Sequence, residues 1–140
     1  MRDAAHNLHI LRAIAPTSVA DNTAQVGQII DTKGFRSLTF AIATGAIADV
    51  DATFTVLVDH GDQANLADAA AVADADLIGL ETQAGFQFDD DNETRKIGYV
   101  GSKRYARLTI TPVNNASAAL LSAIAILGNP QEAPTANPPV

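Results

Sequence analysis

The chain has 140 residues, 47% of them hydrophobic and 18% charged, with a formal net charge of −7 and no cysteine. That length suits one domain with an ordinary core, and the missing cysteines exclude disulfides and thiolate zinc sites. The acidic balance disfavours a phosphate backbone as partner, so nucleic acid is not expected. With 5% aromatic residues and no tryptophan, stacking platforms for bases or sugars are scarce.

In chain order, the start Met1-Arg-Asp-Ala-Ala-His6 is not followed by a long apolar run, so no signal peptide is expected. No stretch approaches the roughly 18 uncharged apolar residues needed to cross a bilayer, so no membrane partner is expected either. Leu8–Ala15 alternates weakly through Leu8, Ile10, Arg12 and Ile14, and Pro16 is read as its end. Residues 1 to about 16 are read as an extended arm. A short strand is expected around Gln25–Ile30.

Ser37–Thr44 then alternates with a period of two: Leu38, Phe40 and Ile42 on one face, small or polar residues on the other. Gly45 is read as its end. Thr53–His60 repeats the scheme, with Phe54, Val56 and Val58 on one face. Leu57 breaks the polarity of the other, which suggests that a partner covers it. His60-Gly61-Asp62 is a turn signal. The Ala/Asp-rich Asn65–Leu77 is read as a loop excursion with at most one helical turn. Lys96–Val100 and Tyr105–Pro112 are strand candidates separated by Gly101-Ser102, and Val113–Ala116 reads as a turn. Ala118–Leu127 is apolar on both faces, so it wants cover on both sides, and its Ile-rich end before Gly128-Asn129-Pro130 favours a strand. From Asn129 on, Pro130, Pro134, Pro138 and Pro139 predict an extended tail that cannot join a central sheet. The fold class expected is mostly β: a single-domain antiparallel β-sandwich or jelly roll over residues 1–128, with a Pro-rich tail over 129–140.

Motifs that carry chemistry are few. There is no Gly-x-Ser-x-Gly elbow. Gly98-Tyr-Val-Gly101-Ser-Lys103 has the wrong order and spacing for a phosphate loop and reads as a turn with a basic rim. The three histidines, His6, His9 and His60, form no zinc pattern, and His60 reads as a solvated or capping turn residue. Asp89-Asp90-Asp91-Asn92-Glu93 could offer oxygens to calcium, but it lacks the glycine and the final glutamate of an EF-hand loop. It reads as a solvated turn or as a partner for Arg95 or Lys96. Asn92-Glu-Thr94 and Asn115-Ala-Ser117 match the glycosylation triplet only by chance if the chain is not secreted. No catalytic residues, metal or cofactor are expected. The basic residues Lys96, Lys103, Arg104 and Arg107 form one cluster in sequence, read as facing carboxylates of this chain or of a partner protein.

Val72-Ala-Asp-Ala-Asp-Leu-Ile-Gly79, Glu81-Thr-Gln-Ala-Gly-Phe-Gln-Phe-Asp-Asp90, Gly98-Tyr-Val-Gly-Ser-Lys-Arg-Tyr-Ala-Arg-Leu108 and Ala125-Ile-Leu-Gly-Asn-Pro130 carry a resemblance. Over residues 33–130 the chain resembles a family of small tailed-bacteriophage virion proteins. The resemblance implies a capsid-associated β-sandwich, and within that a head decoration (cement) protein. Such a protein, made in the host cytoplasm, sits on the outer surface of the virion head as a homo-oligomer, a trimer being favoured, and binds the major capsid protein. The contact residues expected are Leu8 and Ile10 of the arm with Lys103, Arg104, Tyr105 and Arg107. Two rivals stay open: a head–tail completion or tail component, and a carbohydrate- or calcium-binding β-sandwich module.

Overall fold

A computed structural model describes residues 2–139. Met1 and Val140, the ends of the expected arm and tail, lie outside the described residues. Among the described residues eleven strands form: β1 (Leu8–Val19), β2 (Gln25–Val26), β3 (Ile30–Asp31), β4 (Phe35–Ile47), β5 (Thr53–Gly61), β6 (Ala70–Ala71), β7 (Leu77–Ile78), β8 (Phe86–Gln87), β9 (Thr94–Tyr99), β10 (Tyr105–Val113) and β11 (Ala119–Pro130). Helical structure among the described residues is limited to single turns, at Ala5–Asn7, Asp74–Asp76 and α1 (Glu81–Ala84).

The strands pair antiparallel in two sheets. The first has the order β1-β11-β4-β9-β7; the second has β2-β10-β5-β6, with β3 also on β10 and β8 also on β5. The chain is therefore an antiparallel β-sandwich. The period of two makes this arrangement work, because each long strand turns alternate residues inward. Leu38, Phe40, Ile42, Ile97, Leu121 and Leu127 of the first sheet meet Phe54, Val58, Leu108 and Ile110 of the second, all buried. Small inward residues on β11 (Ala119, Ala123 and Ala125) let the sheets pack closely.

Several boundaries differ from expectation. The arm is mostly strand: β1 runs from Leu8 through Pro16 to Val19 against β11, with register shifts between Arg12 and Ile14 and between Ile14 and Thr17. Pro16 survives because it sits in an irregular stretch of an edge strand, where a missing N–H costs no ladder bond. Gly45 lies inside β4. A Cβ there would come within 2.9 Å of Leu120 Cβ on the neighbouring strand, so the glycine admits a close neighbour and does not end the strand. Asn129 and Pro130 finish β11, Pro130 pairing with Phe35. The tail beyond them turns back on its own chain, where the Thr135 N–H donates to His6 O at 2.9 Å and its hydroxyl donates to Leu8 O. Asn65–Leu77 is the expected excursion, with the two-residue β6 and one helical turn.

Both turns flanking β10 pass between sheets. β9 lies in the first sheet, β10 in the second and β11 in the first again. At the β9–β10 passage the buried Tyr99 hydroxyl accepts from Lys103 N–H, donates to Lys103 O at 3.1 Å, and lies 2.9 Å from His60 Nδ1. Burial pushes the Tyr99 phenol up from its ordinary pKa. At the β10–β11 passage the Asn115 amide donates to Val19 O and Asp21 O.

Candidate functional site: the outer faces of the sandwich

The expected contact residues separate. Lys103, Arg104, Tyr105 and Arg107 belong to the second sheet's side, and each cation is paired within the chain. Lys103 Nζ meets Asp62 at 2.6 Å. The Arg104 guanidinium donates twice to Asp31, both bonds at 2.8 Å, and lies over the Tyr105 ring. Arg107 donates to both oxygens of Asp59, the shorter contact being 2.7 Å. These pairs are cross-strand or near neighbours by register, with Arg107 opposite Asp59 and Tyr105 opposite Asp31. Arg104 holds the Asp31 carboxyl below its usual range, and Asp62 holds the Lys103 ammonium above its own. The rest of this face mixes threonines, Thr109 and Thr111 of β10 beside Thr53 and Thr55 of β5, with the exposed Val26, Leu57 and Val113.

Leu8 and Ile10 lie on the opposite face, the outer face of the first sheet. Register defines its rows. Ile10, Ile126, Thr39, Gly98 and Ile78 follow one another across all five strands. Arg12, Ile124, Ala41 and Lys96 form the next row. Ser122, Ala43 and Thr94 follow, then Ser18 and Leu120 beside Gly45. Ile10 is 47% exposed, Leu120 45%, Ile124 40% and Ile78 64%. Gly98 has a packing reason: a Cβ there would sit 3.0 Å from Ile78 Cβ. Near Leu120 the face dips into a shallow groove of about 390 Å³ lined by Pro16, Thr17, Ala43 and Ser122.

No carboxylate stands in these rows, although the chain has 16 Asp and Glu. Arg12 and Lys96 are in no ion pair among the described residues. Beside Arg12 lies the neutral amide of Gln28, in reach of its guanidinium. Lys96, one cluster with Lys103, Arg104 and Arg107 in sequence, is parted from them because the chain changes sheets between β9 and β10. Arg12, Lys96, Leu120, Ile124 and Ile78 were missed as site residues. The signal available was the two-sided apolar character of Ala118–Leu127: its inner face meets the second sheet, and among the described residues Leu120 and Ile124 of its outer face stay exposed.

The other candidates resolve locally. Arg95 pairs with Asp90 at 3.2 Å and Glu93 at 2.6 Å, so the acidic loop meets a cation of its own chain. Among the described residues no three His, Asp or Glu side chains converge as a metal would require. His60 lies in β5 and not in a turn, because the strand runs on to Gly61; its ring meets Tyr99 edge-on. His9 stacks on Phe35 and His6 pairs with Asp3. Phe54 and Phe86 stack on each other in the core. A further groove of about 500 Å³ opens beside them, lined by Thr55, Val56, Glu81 and Gln87. There the Glu81 carboxylate accepts from Val58 N–H at 2.8 Å, in a gap left by the short edge strands β6 and β8.

No family model matches the chain, and no curated protein matches it in sequence. Among solved structures it is similar to the SPBc2 prophage-derived protein YomS, at 10% identity and a TM-score of 0.46, covering 86% of this chain and 93% of that one. It is similar also to the CBM22-1–GH10 modules of Clostridium thermocellum xylanase Xyn10B, at 11% identity and 0.43, covering 95% of this chain but 28% of that one. Bacillus endospore appendage pili give 10% identity and 0.42, covering 89% and 91%. At these identities and scores the likenesses carry no functional reading.

Proposed function

We propose that the chain is a virion structural protein, a head decoration (cement) protein that docks the outer face of its first sheet on a tailed-phage capsid and bridges neighbouring major capsid protein subunits. The observation that carries this is the uncovered row Ile10–Ile126–Thr39–Gly98–Ile78 with Ile124 and Leu120 beside it. It is a small-residue and apolar surface of the kind that marks a protein contact. The sequence resemblance to phage virion proteins supports the station on the head. Strand spacing makes the longest row about 20 Å across five strands, and the four rows stack over about 20 Å along them, on the order of 400 Å². That is about half of one partner's share in a standard interface, so a single copy binds modestly and a homo-oligomer, a trimer by preference, gains by avidity.

Heads assembled without this protein, mixed with the purified chain, test the reading. Saturable binding over the whole shell and a raised disruption temperature of the head are expected. Binding only at one vertex would favour the head–tail component, and no binding would reject both.

A further inference from the structure

We infer that the surface meeting the first sheet's outer face carries carboxylates on an otherwise apolar ground, spaced to receive Arg12 and Lys96; this rests on the docking reading above. Those two cations stand at either side of the apolar centre formed by Ile124 and Ala41. Three strand spacings separate them, about 14 Å. In a chain of net charge −7 this is the face on which register gathers cations and no acid. On the opposite face the cations are neutralised within the chain, as with Arg104 on Asp31 and Arg107 on Asp59. The charge left open here is therefore complementary to an external acid.

The same pattern argues against a second copy as occupant. Two such faces pressed together bring Arg12 and Lys96 of both chains into one interface that holds no carboxylate, and desolvated like charges oppose association. The chain's own tail bonds to the His6 and Leu8 carbonyls at the start of β1, and Thr135 makes no hydrogen bond to the rows that hold Arg12 and Lys96. An acidic, apolar-centred protein surface is what remains. The cations set register and approach rate, while the isoleucines and Leu120 supply the buried area.

The test uses heads assembled without the protein and compares three forms of the full chain: wild type, R12E/K96E, and R12Q/K96Q. Wild-type affinity is expected to fall as salt rises. The reversal should weaken binding by roughly tenfold or more and flatten the salt dependence, with the neutral variant between. Sedimentation of wild type beside L120D/I124D completes it. A wild-type oligomer that L120D/I124D dissolves would show that a second copy covers this face, which overturns the inference. Unchanged affinity of R12E/K96E for heads that wild type binds overturns the inference and leaves the docking reading standing. Failure of wild type to bind heads removes both.

Discussion

The outer face of the second sheet sets Arg107 against Asp59 among threonines; the outer face of the first sets Ile124 and Ala41 between Arg12 and Lys96, with no acid in reach by register. Both faces come from strands with the same alternation, and both are turned away from the same core. The difference lies in what the outward positions carry. On one side Lys103, Arg104 and Arg107 are each answered by a carboxylate of the chain, while Val26, Leu57 and Val113 stay exposed. On the other the answer is missing, and apolar side chains stand half exposed. The open face, whose cations are unanswered, is the one where an acidic partner adds most.

The largest effect should come from putting charge into the open face. L120D/I124D should abolish head binding, a loss of roughly a hundredfold or more, while thermal stability moves by at most about 1 kcal/mol, since both side chains are already partly in water. Binding and melting measurements on the same preparation separate the two effects. On the closed face the order should invert. Asp59→Ala strips Arg107 of its partner in a half-buried setting and should cost about 2 kcal/mol, or about 6 °C in Tm, with head binding unchanged.

Smaller effects follow at the exposed pairs. Lys103→Ala should leave both Tm and binding essentially unmoved, because Lys103 and Asp62 are both exposed and such pairs contribute little. Acid titration reads the same surface charges. Asp31 is held below its ordinary pKa by Arg104, Asp49 by the Ala116 N–H, and Asp68 by the Asp62 N–H. Depressed carboxylates contribute stability that is present above the unfolded value near 3.8 and lost as pH falls through their folded values. Asp51, raised by its hydrogen bond with Asp49, works in the opposite sense. With Asp3 and Asp21, lowered by their hydrogen bonds to His6 and Thr23, five depressed groups stand against one raised and predict stability that is flat from neutral pH to about 5 and falls below about 4 in a circular-dichroism titration. Calcium should have the smallest effect: with Asp90 and Glu93 engaged by Arg95, millimolar calcium should leave Tm unchanged.

The sequence shows the sandwich because inward and outward residues alternate wherever two sheets enclose a core, as in Ser37–Thr44 and Tyr105–Pro112. Strand ends are less readable. Pro16 and Gly45 look like terminators, but tertiary pairing carries β1 and β4 through both. Pro112 keeps its place in β10 because it lies beyond the two residues that β2 covers, where no N–H is needed on that side. The site is legible in part. Leu8 and Ile10 lie on the open face, and Ala118–Leu127 announces two apolar sides. The basic residues mislead, because nearness in sequence hides the passage from one sheet to the other between Tyr99 and Tyr105. That passage sends Lys96 to one face and Lys103 to the opposite side.

Those two lysines make the direct test. Acetylation of the free and the head-bound protein, read residue by residue by mass spectrometry, reports each face by its own amine. Docking through the first sheet predicts that Lys96 becomes protected on binding while Lys103 reacts as before. Protection of Lys103 with Lys96 still reactive would contradict it.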